Sequence, residues 1–567
     1  MTLRQVAAIE KREMREQVQK LLQEAAERVV REIDPSQLER FKAVQVTSAK
    51  QAEHGDFASS AALTLSGPLK LSARDLAERI RSAIQDPDGV LERTEIAGPG
   101  FINFFLAHSG WHDLLVRILR ERERFGWAVP GSGERTQVEF VSANPTGPLT
   151  IGHGRNAVLG DAIARLLEAA GHEVTREYYF NDAGRQMRVL ADSLRARYAQ
   201  RLGREAELPE DGYQGEYLVD IARELVQEHG DAWLDADWSR FKKAAEDAIF
   251  ADIRRTLEKL EIHFDVYSNE HTLYSEGRVD ATLADLRAVG LVYEEDGAVW
   301  LRSRDLGLER DRVLVKSSGE PTYLLPDVAY HREKYSRGFQ RVIDVLGPDH
   351  IEQFPYVRAA LAALGHPADD VEVVVYQWVN LRRGAKLVKM STREGSFVTV
   401  DEVLDEVGGD VFRFFMLERR ADTHFDFDVD LAKDRSERNP VFKIQYAHAR
   451  LCSIERMALE RGLEMPALEE VRFARLESPQ ELDLIKRLER YPGTLLHAAQ
   501  AREPQEVARY LLDLATAFHT YVSDAKRHRV LSEDQELTLA RLALVTAVRI
   551  TLANGLDRLG IQAPERM

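Results

Sequence analysis

A chain of 567 residues is longer than one hydrophobic core sustains, and the usual domain size of roughly 100–200 residues points to three or four units. With 44% hydrophobic and 30% charged residues the composition is globular, which excludes a disordered polymer, and no apolar run reaches the roughly 18 residues of a membrane span. A net charge of −17 excludes a protein that grips nucleic acid with its whole surface, so any such partner must meet local basic faces.

In chain order, "MTLRQVAAIEKREMREQVQKLLQEAAERVV" alternates charged and apolar residues at helical spacing and lacks the apolar centre of a signal peptide. It predicts an amphipathic helix of a cytoplasmic protein. A strand-like "KAVQVTSA" follows, then helices around "GDFASSAALTLSG" and "SARDLAERIRSAIQ", and a strand in "GPGFINFFLA" after the Gly98-Pro99-Gly100 turn. This is a small α+β unit. After the helix "HDLLVRILRERERFG" and the loop "AVPGSGERT", the β-rich "TQVEFVS" leads through a turn at Asn144 into "GRNAVLGDAIARLLEAAGH", with helical periodicity, and then into "EVTREYYF". Strand, glycine-containing turn, helix and strand make a βαβ unit and predict a parallel sheet with a right-handed crossover.

From about 205 to 320 the pattern changes to helices, with "FDVYSNE" and a hairpin-like "GLVYEEDGAVWLRS" among them. It reads as an insertion, because sheet strands resume at "RVIDVLG" and "VEVVVYQWVNL". From about 435 onward long amphipathic segments predict an all-α bundle. The single Cys452 rules out an internal disulfide and a cysteine zinc cluster, in keeping with a reducing compartment. Basic stretches stand at Arg310–Lys316, Asn380–Lys389 and Asp524–Val530, each of which alone is equally the solvated face of an ordinary surface.

Three groups of residues carry chemistry. The strand-to-helix junction "NPTGPLTIGHGRNAVLGD" offers backbone N–H groups and the positive end of a helix, an anion site in which Gly147, Gly152 and Gly154 admit a ligand and His153 a hydrogen-bonding ring. A tight turn capped by the histidine fits the same residues. In "KLVKMSTREGSFVT", Lys389 and Arg393 flank Ser391 and Thr392 in a loop able to close on a polyphosphate. The third group is acidic: Glu139 in a β-run where one face is buried and a cationic partner is required, Glu270 in "YSNEH", and Asp327 four residues after Tyr323, which as a helix N-cap would have a bland role.

Together these segments resemble the arginyl-tRNA synthetases, a family of class I aminoacyl-tRNA synthetases. "TIGH" (Thr150 to His153) is similar to the HIGH motif, "KMSTREGSFVT" to the KMSKS loop, and "YYFNDAGRQM", "GDFASSAAL", "AGPGFINFFLA", "QYAHARLCSI" and "APERM" resemble family segments in order along nearly the whole chain. The resemblance implies a multidomain α/β protein: residues 1–115 as a domain for the tRNA elbow, 116–420 as a Rossmann-type catalytic domain with the insertion, and 421–567 as a helical anticodon-binding domain. It implies that arginine and ATP form arginyl-adenylate, which passes to the 3′ end of the cognate tRNA, with adenylate formation dependent on bound tRNA. Mg²⁺ accompanies ATP as co-substrate, with no tightly bound cofactor and no metal held by the protein, and the enzyme is expected to be a monomer without a membrane partner.

Carried over residue by residue, the resemblance assigns Glu270, Tyr323 and Asp327 to the substrate guanidinium, whose planar fork suits bidentate pairing. It assigns Glu139, Ser142 and Asn144 to the α-amino and carboxylate groups, with His350 nearby. ATP falls to Gly152, His153, Asp349, Gln377, Val379, Lys389, Met390 and Ser391. Catalysis falls to Thr150, His153, Lys389 and Arg393, and tRNA contacts to Asn103, Phe105, Lys526, Arg527 and Met567. Two positions depart from the family's motifs: Thr150 replaces the first histidine and Thr392 the second lysine, and "VEFVSANPTGPL" has no lysine in compensation. A catalytically weak tRNA-binding paralogue, or an adenylate-forming enzyme with another substrate, is the competing expectation.

Overall fold

The structure, a computed structural model, describes residues 14–38, 44–49, 54–128, 131, 133–348, 351–388 and 398–567. The chain divides into two units. One takes Met1–Phe125, Arg450–Tyr491 and Thr516–Thr551, and the other Gly126–Ala449, Pro492–Ala515 and Leu552–Met567.

In the first unit the Met14–Ile33 helix buries Val18, Leu22, Ala25, Ala26, Val29 and Val30, a stripe at helical spacing. An antiparallel sheet accompanies it, built from β1 (Val46–Ser48), β2 (Phe57–Ser59), β3 (Leu91–Ala97) and β4 (Phe101–Leu106) in the order β1-β2-β4-β3. Strand β4 was readable from its apolar residues, but edge strand β3 was not. "LERTEIA" leaves most of its side chains half or fully exposed and shows no clean alternation. The turn joining them needs its glycine, since a Cβ on Gly100, at φ 143°, would lie 2.7 Å from the Ala73 carbonyl oxygen.

The second unit holds β5 (Arg135–Glu139), β6 (Glu173–Phe180), β7 (Val266–Asn269), β8 (Val292–Glu295), β9 (Ala298–Leu301), β10 (Arg312–Val315), β11 (Arg341–Leu346), β12 (Val371–Val375), β13 (Val379–Arg383), β14 (Lys386–Leu387) and β15 (Phe425–Asp428). Five of these form a wholly parallel sheet in the order β12-β11-β5-β6-β7. The chain starts at the centre, moves outward through β6 to β7, and returns on the other side of β5. Order therefore reverses between β5 and β11, the switch point at which doubly wound sheets bind ligands. The predicted crossover is the Ile151–Ala169 helix, buried over most of its length between β5 and β6.

Two expectations change. "FDVYSNE" contributes β7, an edge strand of the parallel sheet, so the 205–320 segment is not wholly additional to that sheet. A strand of only four residues is too short for periodicity to declare. The continuous run "VEVVVYQWVNL" is two strands, because after β12 the Gln377 N–H donates to the Ala421 carbonyl, and β13 pairs instead with β14 and β15. The hairpin at "GLVYEEDGAVWLRS" forms as its sequence predicts, with Asp296 and Gly297 both at positive φ in a two-residue turn between β8 and β9.

The Gln535–Arg558 helix is long and apolar enough by composition to cross a membrane, but 78% of its apolar window is buried inside the protein, as in the core of a helical bundle.

Within the second unit a buried charge cluster ties distant segments together. Arg413 and Asp161, each 1% exposed, form an ion pair at 2.5 Å, and Arg413 also donates through Nε to the Leu559 carbonyl and through Nη1 to that of Leu260. Arg165 and Arg176 complete the shell around Asp161. Replacing one member of such a cluster strands the rest in a dry site, at a cost of about 3–5 kcal/mol. Arg413→Met should therefore lower the thermal unfolding midpoint by several degrees, whereas Arg122→Ala on the surface should shift it little, as read by circular dichroism.

Candidate active site

The carboxyl end of β5 is strained and heavily fixed. Val141 and Ser142 both take positive φ, 65° and 42°, where a β-branched residue is rarely found. The Val141 N–H donates to Asn156 Oδ1 at 2.7 Å, and Asn156 Nδ2 donates to the Val345 carbonyl at the end of β11. Ser142 Oγ donates to Glu139 Oε1 at 3.0 Å and accepts from the Tyr179 N–H. Asn144 Oδ1 accepts from the Asn181 N–H at 3.0 Å, and Tyr178 Oη donates to the Ala143 carbonyl at 2.8 Å. Bonds from β6, β11 and the crossover helix thus hold this loop in a conformation it would not adopt alone. The helix lies close against it: a Cβ on Gly160 would fall 2.2 Å from the Phe140 side chain.

The required cation beside Glu139 is Lys334, which is fully buried. Its Nζ donates to Glu139 Oε2 at 2.6 Å and to Asp344 Oδ1 at 2.7 Å, and lies 4.4 Å from the centre of the Tyr330 ring. His331 Nε2 is 2.8 Å from Asp344 Oδ2. Lys334 and His331 hold Asp344 well below the usual carboxylate range despite its burial. Glu139 is pushed upward by burial and by the neighbouring Asp344 charge, with Lys334 opposing.

Asp327, His331 and Lys334 share one stripe of the Leu324–Ser336 helix, at spacings of four and three. Asp327 is not the N-cap. That position belongs to Tyr323, whose carbonyl accepts the Asp327 N–H at 3.2 Å, so the Asp327 carboxyl has no capping duty and takes a bond from Gln353 Nε2 instead. Burial first, and then the charges of Glu139 and Glu270, raise Asp327 to about 7 against the opposing effect of His331.

Glu270 is buried at the start of the Glu270–Ser275 helix and accepts from Tyr179 Oη at 2.9 Å, and it too is raised, chiefly by burial. Neither Glu270 nor Asp327 forms an ion pair with Lys or Arg among the described residues. Buried Glu270 and half-buried Asp327 thus lack a Lys or Arg partner, near the Tyr179 ring that stacks at 4.3 Å on Tyr330. The structure does not bring Tyr323 into this cluster: its ring is 73% exposed at the helix start.

Thr150 is the N-cap of the Ile151–Ala169 helix. Its N–H donates to His153 Nδ1 at 3.2 Å, and its Oγ1 lies at the same distance from that nitrogen. Burial lowers His153 to about 4, so the ring is neutral near pH 7, and an accepting Nδ1 leaves the proton on Nε2. Capping and ligand binding are therefore compatible in one histidine: Nδ1 fixes the turn and Nε2–H remains a donor. A Cβ on Gly152 would meet only Thr150 Oγ1, at 3.9 Å, whereas one on Gly154 would strike Phe412 at 2.6 Å. Gly154 serves packing, while Gly152 leaves the helix end open.

Lys389, Met390, Ser391, Thr392 and Arg393, with Asp349 and His350, lie outside the described residues. The chain just beyond the basic loop is tied to the helix end, since Thr399 bridges Thr150 and the Val400 N–H donates to the Leu149 carbonyl at 2.8 Å. Arg155, fully buried, donates to the carbonyls of Gln377, Thr423 and Arg420 and stacks on Phe425, which sets the backbone around Gln377 and Val379. Motif reading missed Arg155, Asn156, Tyr179, His331, Lys334, Asp344 and Gln353. The polar stripe through Asp327, His331 and Lys334 was the available signal.

Elsewhere, two basic stretches are neutralised locally: Arg382 pairs with Asp428, Arg383 with Glu406 and Lys316 with Glu320. In Asp524–Val530, Lys526, Arg527 and Arg529 are exposed, on a turn whose Arg527 and Arg529 carbonyls accept from the buried Arg541. Phe105 carries the Arg93 guanidinium 3.7 Å above its ring, and Met567 is exposed. A tRNA contact at Asn103 does not fit, because the residue is only 4% exposed between its neighbours in the sheet.

Comparison with known proteins places the chain in a family. The arginyl-tRNA synthetase N-terminal domain matches residues 13–106, the class I (R) tRNA synthetase catalytic domain 117–422, and the DALR anticodon-binding domain 444–567. An arginine–tRNA ligase of Desulfotalea psychrophila is 49% identical over 91% of this chain and 94% of its own, and one of Salinibacter ruber 48% identical over 92% and 96%. The solved Thermus thermophilus arginyl-tRNA synthetase superposes with a TM-score of 0.74 at 25% identity, covering 97% of this chain and all of its own. Family models over residues 13–106, 117–422 and 444–567, with arginine–tRNA ligases nearly half identical over about nine-tenths of the chain, show that it belongs to the arginyl-tRNA synthetase family, a class I ligase that uses ATP to join arginine to tRNA.

Proposed function

We propose that Glu270 and Asp327 are the residues that read the arginine side chain, and that the loop after β5 reads its other end. The observation that carries this is the pair of carboxylates, Glu270 buried and Asp327 half-buried, raised by desolvation and without a Lys or Arg partner among the described residues. A guanidinium is planar, permanently charged and forked, so it can satisfy two carboxylates at once. A lysine ammonium reaches the same pocket as a point charge and loses the fork. Tyr323, exposed at the head of the Asp327 helix, is free to cover the bound side chain. Glu139 takes the α-ammonium, and Ser142 and Asn144 position the substrate's backbone end.

ATP then lies along the open end of the Ile151–Ala169 helix. Gly152 lets a phosphate approach, His153 Nε2–H donates to it as a neutral group, and Thr150 offers its hydroxyl. The adenine rests on the backbone of Gln377 to Val379 that Arg155 holds. Lys389 and Arg393, with Met390 and Ser391, close on the polyphosphate, and Mg²⁺ arrives with the nucleotide. With the substrate carboxylate held in line with the α-phosphate, catalysis is mostly positioning and stabilisation of charge developing on the leaving pyrophosphate. Thr392 in place of a lysine makes Lys389 and Arg393 the cations of that loop.

Adenylate formation depends on bound tRNA, and the protein works as a cytoplasmic monomer. Exposed Lys526 and Arg527, Phe105 and Met567 are assigned to tRNA contacts, where locally clustered cations on an acidic chain meet phosphate.

Two measurements test these roles. Asp327→Asn should raise the KM for arginine by about 100-fold or more, the scale of a lost buried ion pair, while the KM for ATP stays nearly constant. An unchanged arginine KM removes Asp327 from the guanidinium site. ATP–pyrophosphate exchange should require both arginine and cognate tRNA, and Thr392→Lys should raise its rate if the loop lacks a cation. Exchange at full rate without tRNA contradicts the proposed dependence.

A further inference from the structure

Lys334 touches no surface open to solvent, yet it sits between the carboxylates of β5 and β11. Its three donors are all engaged: Glu139 Oε2 at 2.6 Å, Asp344 Oδ1 at 2.7 Å, and the face of Tyr330. On Glu139, Lys334 takes Oε2 and the Ser142 hydroxyl takes one position on Oε1. Those two bonds, one to each oxygen, fix the plane of the carboxylate.

We propose that Lys334 is a positioning residue that keeps Glu139 ionised and oriented for the substrate's α-ammonium, so that a buried Lys–Glu pair selects arginine by its backbone end. The proposal rests on the assignment of Glu139 to the α-ammonium.

The electrostatic surroundings make the dependence acute. Glu139 faces Asp344 from β11, Asp327 and His331 from the Leu324–Ser336 helix, and the phenols of Tyr179 from β6 and Tyr330 from the same helix. Glu177 from β6 also acts on Lys334 but is paired with Arg337 and accepts from Tyr330 Oη. Lys334 is the lone ammonium or guanidinium in direct contact with Glu139 among the described residues. Asp344 keeps its charge with help from both Lys334 and His331, whereas Glu139, pushed upward by burial, is the member of the trio closest to accepting a proton. Removing Lys334 raises Glu139 further, so the group protonates as pH falls through its elevated pKa and recovers its charge as pH rises.

The test compares ligands that differ only at the backbone end, in the presence of tRNA and ATP. In Lys334→Met, the KM for arginine and the Ki for agmatine, which keeps the amine, should rise by about 100-fold near pH 7, the size expected for a buried carboxylate deprived of its partner. The Ki for 5-guanidinopentanoate, which lacks the amine, should change by less than about threefold, and the arginine KM should improve as pH rises. Equal weakening of all three ligands overturns the proposal, because a merely structural lysine would act that way. Asp344→Asn keeps the Lys334–Glu139 pair and provides a second arm. With the Asp344 charge gone, its arginine KM should rise less steeply as pH falls than that of the parent enzyme, and a steeper rise overturns the proposal even if Lys334→Met does not fold. Glu139→Gln separates the premises: if it leaves the amine-bearing ligands unaffected, the assignment of Glu139 fails; if it weakens them while Lys334→Met does not, the positioning role fails.

Discussion

A buried lysine joins the two strands between which the sheet reverses order. Lys334 bonds Glu139 at the end of β5 and Asp344 on β11, and the same helix that carries it also carries Asp327 one turn before His331. Most of the site can be placed from that contact. Asp327, on the same helix, is raised by burial and by the charges of Glu139 and Glu270, and neither it nor Glu270 forms an ion pair with Lys or Arg among the described residues. Carboxylates desolvated without a cation are costly to the free protein, and in the proposed site a guanidinium ligand removes that cost. Affinity and discrimination then share one origin.

The nucleotide side depends on a different constraint, the close fit of the Ile151–Ala169 helix to the sheet. Gly160 lets the helix meet Phe140, and Asn156 reaches across to Val141 and Val345, so the helix end is fixed relative to the strained loop that ends β5. At that end His153 is neutral and its tautomer is set by the Thr150 N–H. The threonine in the first motif position therefore has a structural duty, capping, that is separate from any contact with phosphate. The bridge from Thr150 to Thr399 places the end of the basic loop beside the same cap.

Much of this was legible in the sequence, and the remainder was hidden for identifiable reasons. The βαβ unit, the Asp296-Gly297 hairpin and the need of Glu139 for a cation followed from periodicity, turn chemistry and the cost of burying charge. Which cation it was did not follow, because Lys334 is 195 positions away and only the sheet order brings the two together. Strand β3 was missed because its side chains are mostly polar, and "FDVYSNE" was noticed but not placed in the parallel sheet because four residues carry no period. Asp327 looked like a cap since it follows a proline, yet the helix had already begun at Leu324 with Pro326 in its first turn. Asn103 was assigned to tRNA by resemblance alone, and its burial is a tertiary property that the motif does not carry.

The central claim is that arginine completes a charge-deficient pocket, and proton exchange on binding measures it directly. Burial and the neighbouring carboxylates raise Asp327 to about 7, so near pH 7 part of the free enzyme carries a proton there, and a guanidinium that favours the ionised form expels it. Calorimetric titration of arginine into the enzyme with tRNA present, in buffers of different ionisation enthalpy at pH 7, should show net proton release on binding, diminished in Asp327→Asn. Binding with no proton release in any buffer would contradict the account.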